Sequence, residues 1–169
     1  MHPLFRSALA LKYQQLCELD QLVKDFTAAI ETNAKQHTEI KRLQSIPGFG
    51  AIVSSTYFSV IDDGRAFGNG RDAAASLGLV PRQHSSGGKN TLLGINKRGD
   101  KYLRCLLVHG ARSVVIHAHK KDDALSRWVT RLVERCGKNK AIVALANKLA
   151  RIAWPVTTSG KPYQENYAM

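Results

Sequence analysis

A seven-residue apolar repeat in the first forty residues constrains the fold more than any other feature of this chain. Two series make up the repeat: Leu9, Leu16, Val23, Ile30 and Phe5, Leu19, Phe26, Ile40. This period is typical of a long helix with a coiled-coil-like seam. Because Lys12, Asn33 and His37 interrupt the seam, its partner is a neighbouring helix or another chain. Segment 1–42 has six basic and five acidic residues, so we expect it to serve architecture or to form a homodimer or higher oligomer.

The periodicity ends abruptly at the sequence Ser45-Ile46-Pro47-Gly48-Phe49-Gly50. Proline and two glycines cannot continue a helix, and apolar helical spacing resumes from Ala51. A helix, a tight glycine turn and a second helix make a helix-hairpin-helix arrangement. Its exposed amides bind phosphate without base preference, which makes Gly48 and Gly50 candidate phosphate-binding residues. An ordinary antiparallel helix corner fits the same residues.

The remaining sequence predicts further helices and one irregular region. Asp63-Gly64 marks a turn, a short helix covers Asp72 to Leu77, and residues 79–97 form an irregular loop or a short β-hairpin. Asp100 caps a long helix. Two more helices follow, about Ala124 to Arg135 and Asn139 to Ala153, and Pro155 stops the last one.

The long helix after Asp100 has two faces. Leu103, Leu107, Gly110 and Val114 are predicted to face the core, whereas Lys101, Arg104 and Arg112 are predicted to lie toward solvent or an anion. The sequence therefore predicts an all-α fold containing a helix-hairpin-helix. Its parts are a coiled-coil-like arm at 1–42, a helical domain at 43–156 and a polar tail at 157–169.

Positive charge is concentrated in the middle of the chain. Residues 81–121 carry nine Lys or Arg and one Asp, a net of +8 within a total of +12. Such a surface attracts a polyanion because each neutralised phosphate releases counterions, so nucleic acid is the favoured partner. No apolar stretch approaches the ~20 residues that cross a bilayer, and we expect no membrane contact and a cytoplasmic location. The three widely spaced cysteines argue against a zinc cage or disulfides and are expected to be buried.

A small hydroxyl-bearing loop, Ser85-Ser86-Gly87-Gly88-Lys89, lies inside the basic block. Two glycines without Cβ atoms let a phosphodiester approach a serine hydroxyl, as covalent catalysis on DNA requires. His84 is a candidate proton acceptor or phosphate ligand. A flexible polar turn is the simpler interpretation of the same loop. The cations expected to stabilise the transferring phosphoryl group are Arg82, Lys89, Lys97, Arg98 and Arg104.

Two familiar kinds of site do not fit the spacing. Gly87-Gly88-Lys89-Asn90 is not a phosphate-binding P-loop, because Asn90 replaces the Ser or Thr that would hold magnesium. His109, His117 and His119 lack the i, i+4 spacing of a helical metal pair, and no metal site is predicted.

Five blocks carry a resemblance to a known family. They are LQSIPGFG at residues 43–50, FGNGR at 67–71, ASLGLVP at 75–81, SSGGK at 85–89 and INKRGDKYLR at 95–104. In this order and spacing they resemble the C-terminal domain of the insertion-sequence one-ten type transposases, also called bridge recombinases. That family has an N-terminal RuvC-like domain with four acidic residues, a coiled-coil region and this C-terminal domain with a serine nucleophile. A structured bridge RNA pairs with DNA in its understood members.

The resemblance implies a DNA-binding serine transposase domain in which Ser86 is the nucleophile and Ser85 the second choice. Lys97, Arg98 and Arg104 would be basic partners around the scissile phosphate or its flanking backbone, and Lys101 a further phosphate contact. The chain begins after the expected RuvC-like domain. We therefore expect no cofactor in this chain, Mg²⁺ only together with the acidic domain, and weak DNA binding without autonomous cleavage. The alternatives are a non-catalytic helix-hairpin-helix scaffold or regulator, and a self-associating helical protein whose charge only keeps it soluble.

Overall fold

Helices dominate the computed structural model, which describes residues 2–86 and 89–164. A 3₁₀ turn at Ala118–Lys120 follows the fifth helix. The predicted mostly helical fold is confirmed, and residues 79–97 contain the short β-hairpin. In chain order the elements are α1 (Pro3–Gln36), α2 (Thr38–Leu43), α3 (Ala51–Ile61), α4 (Gly70–Ser76), β1 (Pro81–Ser86), β2 (Lys89–Ile95), α5 (Lys101–His117), α6 (Ala124–Cys136) and α7 (Lys138–Ser159).

The first forty residues form two helices, where the sequence predicts one. His37 takes an extended conformation with φ −93° and ψ 115°, which separates α1 from α2. After the break, Ile40 and Leu43 are buried in the body, whereas Ala34 is the buried residue of α1. The change of direction thus lets α2 join the core while most of α1 extends away from it.

The core lies around α7, which packs against α4, α5 and α6. Leu145, Leu149 and Val156 of α7 are almost completely buried, and Leu103 and Leu107 of α5 meet them in one apolar cluster. The prediction that Leu103 and Leu107 face the core is confirmed. Tyr57 of α3 enters the same cluster, where its hydroxyl donates to the Ala150 carbonyl at 3.2 Å. Burial raises the pKa of Tyr57 well above its ordinary value.

The prediction that Pro155 stops the last helix is wrong. Proline removes the hydrogen bond that would reach the Arg151 carbonyl, yet α7 continues to Ser159. The Arg151 carbonyl lies against the Gly70 backbone, where a Cβ would stand 2.6 Å from the oxygen. Trp154 donates to the Gly64 carbonyl at 2.9 Å, and Val156 is 1% exposed. Tertiary packing therefore outweighs the loss of one helical bond, and α7 passes the predicted domain boundary at 156.

Glycine allows the turn between α2 and α3 to contact α5 closely. Gly48 has φ +84°, and a Cβ there would lie 2.7 Å from the Gly110 carbonyl. A Cβ on Gly110 would in turn clash with the Gly48 carbonyl. Only glycine at both positions permits this backbone contact, which fixes the turn on the body.

The cysteines and the C-terminal segment differ from the sequence-based expectations. Cys17 and Cys105 are exposed and Cys136 is half-buried, so the prediction of buried cysteines is wrong. The chain beyond α7 returns to the body, because Tyr163 donates its N–H to Ser45 Oγ at 2.8 Å. Residues 165–169 of the predicted tail lie outside the described residues.

Candidate functional site

The β-hairpin carries the serine loop at its tip. β1 and β2 pair antiparallel, with Ser85 opposite Asn90 and Ser86 opposite Lys89. An irregularity in the pairing follows Pro81, which lies opposite Ile95 at the base. Gly87 and Gly88 lie outside the described residues, as do the side chains of Ser85, Ser86 and Lys89. The backbone register thus brings Ser86 and Lys89 together at the far end of the hairpin.

The base of the hairpin is attached to the body by backbone and side-chain hydrogen bonds. Asn96 donates its N–H to the Val80 carbonyl at 2.8 Å, and Lys97 to the Gly78 carbonyl at 3.1 Å. From α7, the Asn147 side chain donates to the Leu79 carbonyl at 3.2 Å. These contacts hold the two ends of the hairpin against α4 and α7, so the strands extend from a fixed base.

Arg104 belongs to this base, and the prediction that it faces solvent is wrong. Its side chain is 8% exposed, and Nη1 donates to the carbonyls of Leu77 at 3.0 Å and Arg98 at 3.3 Å. These carbonyls precede β1 and follow β2, so one guanidinium joins the two ends of the hairpin. Arg104 is therefore placed to hold the hairpin and not to contact a phosphate at the surface.

Apart from Lys89, the other predicted cations are exposed and lie at the base of the hairpin. Arg82 is on β1, Lys97 and Arg98 follow β2, and Lys101 begins α5. With a rise of about 3.3 Å per residue, the five steps from Pro81 to Ser86 span roughly 16 Å. The expected cluster of cations around Ser86 is thus divided into Lys89 at the tip and the others near the base. His84 is exposed, two residues before Ser86.

The turn between α2 and α3 borders a second cationic region. Gly48 is half-buried against α5, and exposed Gly50 precedes the first turn of α3. A hollow of about 400 Å³ beside Gly48 is also lined by Lys120 and Lys121. Both lysines belong to the basic block at 81–121, but Lys120 is 72 positions after Gly48, so no local pattern connects them with the turn.

A larger cationic groove was missed by sequence reasoning. It lies between the hairpin and α7 and contains Arg71, Lys148 and Arg151. Helical spacing places Lys148 and Arg151 near each other on α7, but no sequence signal connects them with Arg71, which is on α4 and more than 70 positions earlier.

Metal-binding groups and membrane-spanning helices are both absent from the described residues. Within residues 2–86 and 89–164, no three His, Cys, Asp or Glu side chains group closely enough to hold a metal ion. Nor does any helix in the described ranges have the length and apolar character needed to cross a membrane.

Comparison with known proteins gives one consistent result. The sequence model of the Transposase IS116/IS110/IS902 family matches residues 40–127. A transposase for insertion sequence element IS1111A from Coxiella burnetii is 41% identical over 96% of this chain and 44% of its own length. A probable family 20 transposase from Pseudomonas aeruginosa is 43% identical over 89% of this chain and 44% of its own. The transposase for IS1328 from Yersinia enterocolitica is 43% identical over 90% and 43%. The chain spans less than half the length of each relative.

Proposed function

This chain belongs to the IS116/IS110/IS902 family of transposases, and we propose that it binds DNA and supplies the serine nucleophile of DNA strand cleavage. The observation that carries the proposal is the hairpin with Ser86 and Lys89 paired at its tip and a base held by α4, α5 and α7. A fixed base and an extended tip suit an element that enters a DNA groove to reach one phosphodiester.

In the proposed reaction Ser86 Oγ attacks phosphorus. An Oγ–P bond forms, the bond from phosphorus to one strand oxygen breaks, and that oxygen leaves as a hydroxyl carrying the proton that Oγ has lost. The phosphoserine–DNA link is itself a phosphodiester, so it conserves the energy of the broken bond for rejoining. In this proposal Lys89, which pairs with Ser86 in the strand register, neutralises charge on the phosphoryl oxygens, and His84 is a candidate proton carrier.

The base cations have a different part in this proposal. Arg82 is four strand steps, roughly 13 Å, from Ser86, and Lys97, Arg98 and Lys101 follow the base end of β2. One base-pair step occupies about 3.4 Å of the duplex axis, so a hairpin lying along the duplex would place Arg82 about four base pairs from the cleaved bond. These cations fix the position of the hairpin on DNA and leave sequence choice to other groups, for example a guide RNA.

The α1 arm joins two copies in the proposed assembly. The apolar residues of its seam are between 48% and 67% exposed at Phe5, Leu9, Leu16, Leu19, Val23 and Phe26. A soluble monomer rarely exposes so long an apolar surface. The seven-residue period specifies a second helix of the same kind as its cover, and a second copy of this chain supplies one.

A non-catalytic nucleic-acid scaffold remains the second candidate function. The observation that favours it is the hollow at Gly48, where Lys120 and Lys121 supply two cations for a phosphate beside the carboxylate of Asp123. Cleavage by a serine nucleophile forms a covalent link between protein and DNA, whereas a scaffold forms none.

The experiment compares three proteins on a nicked or bulged duplex. Wild type, Ser86→Ala and Ser85→Ala are each mixed with the RuvC-like domain of a family member, and products are resolved under denaturing conditions. We expect a denaturant-resistant adduct from wild type and Ser85→Ala and none from Ser86→Ala, with unchanged DNA affinity in all three. An adduct of normal yield from Ser86→Ala would refute the assignment of the nucleophile. Unchanged binding without any adduct in wild type would favour the scaffold.

A further inference from the structure

Two sets of residues line the groove between the hairpin and α7, an apolar set that we call the floor and a cationic set that we call the rim. The volume of the groove is about 1160 Å³, above the roughly 300–1,000 Å³ of pockets that enclose a drug-sized molecule. The floor consists of Leu93 and Ile95 of β2, Val143 and Ala144 of α7 and Trp128 of α6. Arg71, Lys148 and Arg151 also line a hollow of about 500 Å³ next to Trp154, so the two hollows share these three cations.

The charge of the groove has one sign. Arg71, Lys140, Lys148 and Arg151 line it, and neither hollow has Asp or Glu among its described lining residues. The ion pairs found within residues 2–86 and 89–164 are Arg65 with Asp63 and Arg127 with Asp122, on other surfaces. The four cations of the groove thus have no carboxylate partner in the described structure.

Lys148 is a partly buried cation of the groove, with another positive charge nearby. Its Nζ lies 4.6 Å from the centre of the Trp128 ring, a cation–π contact. Burial disfavours the ammonium and nearby Arg151 repels it, so the pKa of Lys148 lies below its ordinary value. A phosphate placed between Lys148 and Arg151 would relieve this repulsion.

We propose that this groove binds an unpaired nucleic-acid strand, with its bases on the apolar floor and its phosphates on the cationic rim. Each nucleotide joins a flat apolar face to a negative charge, which is the combination that the groove presents. A duplex hides those faces in its stack and would leave the floor wet, and an acidic peptide has the charge without the flat faces. The proposal rests on the proposed function, because cleavage by a transposase makes unpaired DNA and a guide RNA has unpaired segments.

The two tryptophans provide a direct measurement. Trp128 lines the larger hollow and Trp154 the smaller, and the chain contains no other tryptophan. Titration of the purified chain with a pyrimidine DNA strand of about 12 nucleotides, its RNA equivalent, a duplex of equal length and a poly-glutamate peptide separates the possible ligands. We expect tryptophan quenching by one or both single strands at concentrations where the duplex and the peptide give none. The DNA and RNA arms show which strand the groove prefers.

Variants test the position of the bound strand. Replacement of both Arg71 and Arg151 by alanine is expected to weaken single-strand binding about tenfold or more. Each phosphate contact to a single strand contributes about 0.7 to the slope of log affinity against log salt concentration, so the double variant should reduce that slope by about 1.4. Ala144→Glu, which adds a carboxylate to the floor and removes no cation, is expected to abolish the quenching. The charge-matched control replaces Arg112 and Arg135, which are exposed and line neither hollow. Circular dichroism and thermal melting check that each variant folds.

The outcomes separate this proposal from the proposed function. Equal loss in the control and the groove variants, or stronger quenching by poly-glutamate, would overturn the groove assignment. Normal duplex binding without any single-strand quenching would overturn it too, and leave the proposed function intact. If the chain binds neither duplex nor strand, both proposals fail.

Discussion

Replacement of Arg104 by methionine separates a structural role from a phosphate-binding role. Methionine keeps the buried stem but cannot donate to the carbonyls of Leu77 and Arg98, 3.0 and 3.3 Å from Nη1. A hydrogen bond from a charged donor contributes about 1.5–3 kcal/mol, and the second bond is long. We therefore expect a loss of about 3 kcal/mol in the free energy of unfolding, equivalent to a melting temperature lower by roughly 6–12 °C in a domain of this size.

Lys101→Met is the matched control for Arg104→Met. Lys101 is exposed in the first turn of the same helix, so its replacement is expected to change stability by less than about 0.5 kcal/mol. If Lys101 contacts a DNA phosphate, Lys101→Met should reduce the slope of log affinity against log salt concentration by about 0.9. Thermal melts measure the stability of both variants, and salt titrations measure the salt dependence of their DNA binding. Unchanged stability of Arg104→Met together with a reduced salt slope would refute the structural role.

Three further predictions concern other parts of the fold. Gly110→Ala should cost about 1–3 kcal/mol of stability because its Cβ meets the Gly48 carbonyl, whereas Gly94→Ala, with open space around it, should be nearly neutral in chemical denaturation. Leu16→Asp on the α1 seam should convert oligomer to monomer in light scattering, and Ala28→Asp on the same exposed helix but off the seam should not. Burial raises the pKa of Asp123 but hydrogen bonds from Ser126 outweigh it, so the net pKa is lowered. The stability that Asp123 contributes is then present near neutral pH and lost as pH falls through the lowered pKa, and the gap between wild type and Asp123→Ala should narrow in acid melts.

Local signals in the sequence predicted most of the helical elements. Asp100 caps α5 by accepting from the Leu103 N–H, as its position before an apolar period indicated. The short helix predicted at Asp72 to Leu77 corresponds to α4, and Gly78 follows it with φ +68°. The hairpin at 81–95 was one of two predicted alternatives, because Gly, Ser and Asn there fit a loop equally well.

Long-range contacts account for what sequence reasoning missed. Pro155 breaks helices as a local rule, but the packing of Trp154 and Val156 keeps α7 continuous. Arg104 fits the pattern of a surface cation, and only the fold brings the Leu77 and Arg98 carbonyls to it. The groove depends on Arg71 and Arg151, which are 80 residues apart. Patterns along the chain describe one element at a time, and these features exist only between elements.

We propose that Ser86 at the hairpin tip forms the covalent link to DNA. Proteolysis of a trapped protein–DNA adduct, followed by mass spectrometry of the nucleotide-bearing peptide, locates the linked residue directly. We expect a phosphodiester on Ser86 Oγ. A link on Ser85 or on any residue outside the hairpin, or a complete reaction that never forms a link, would contradict it.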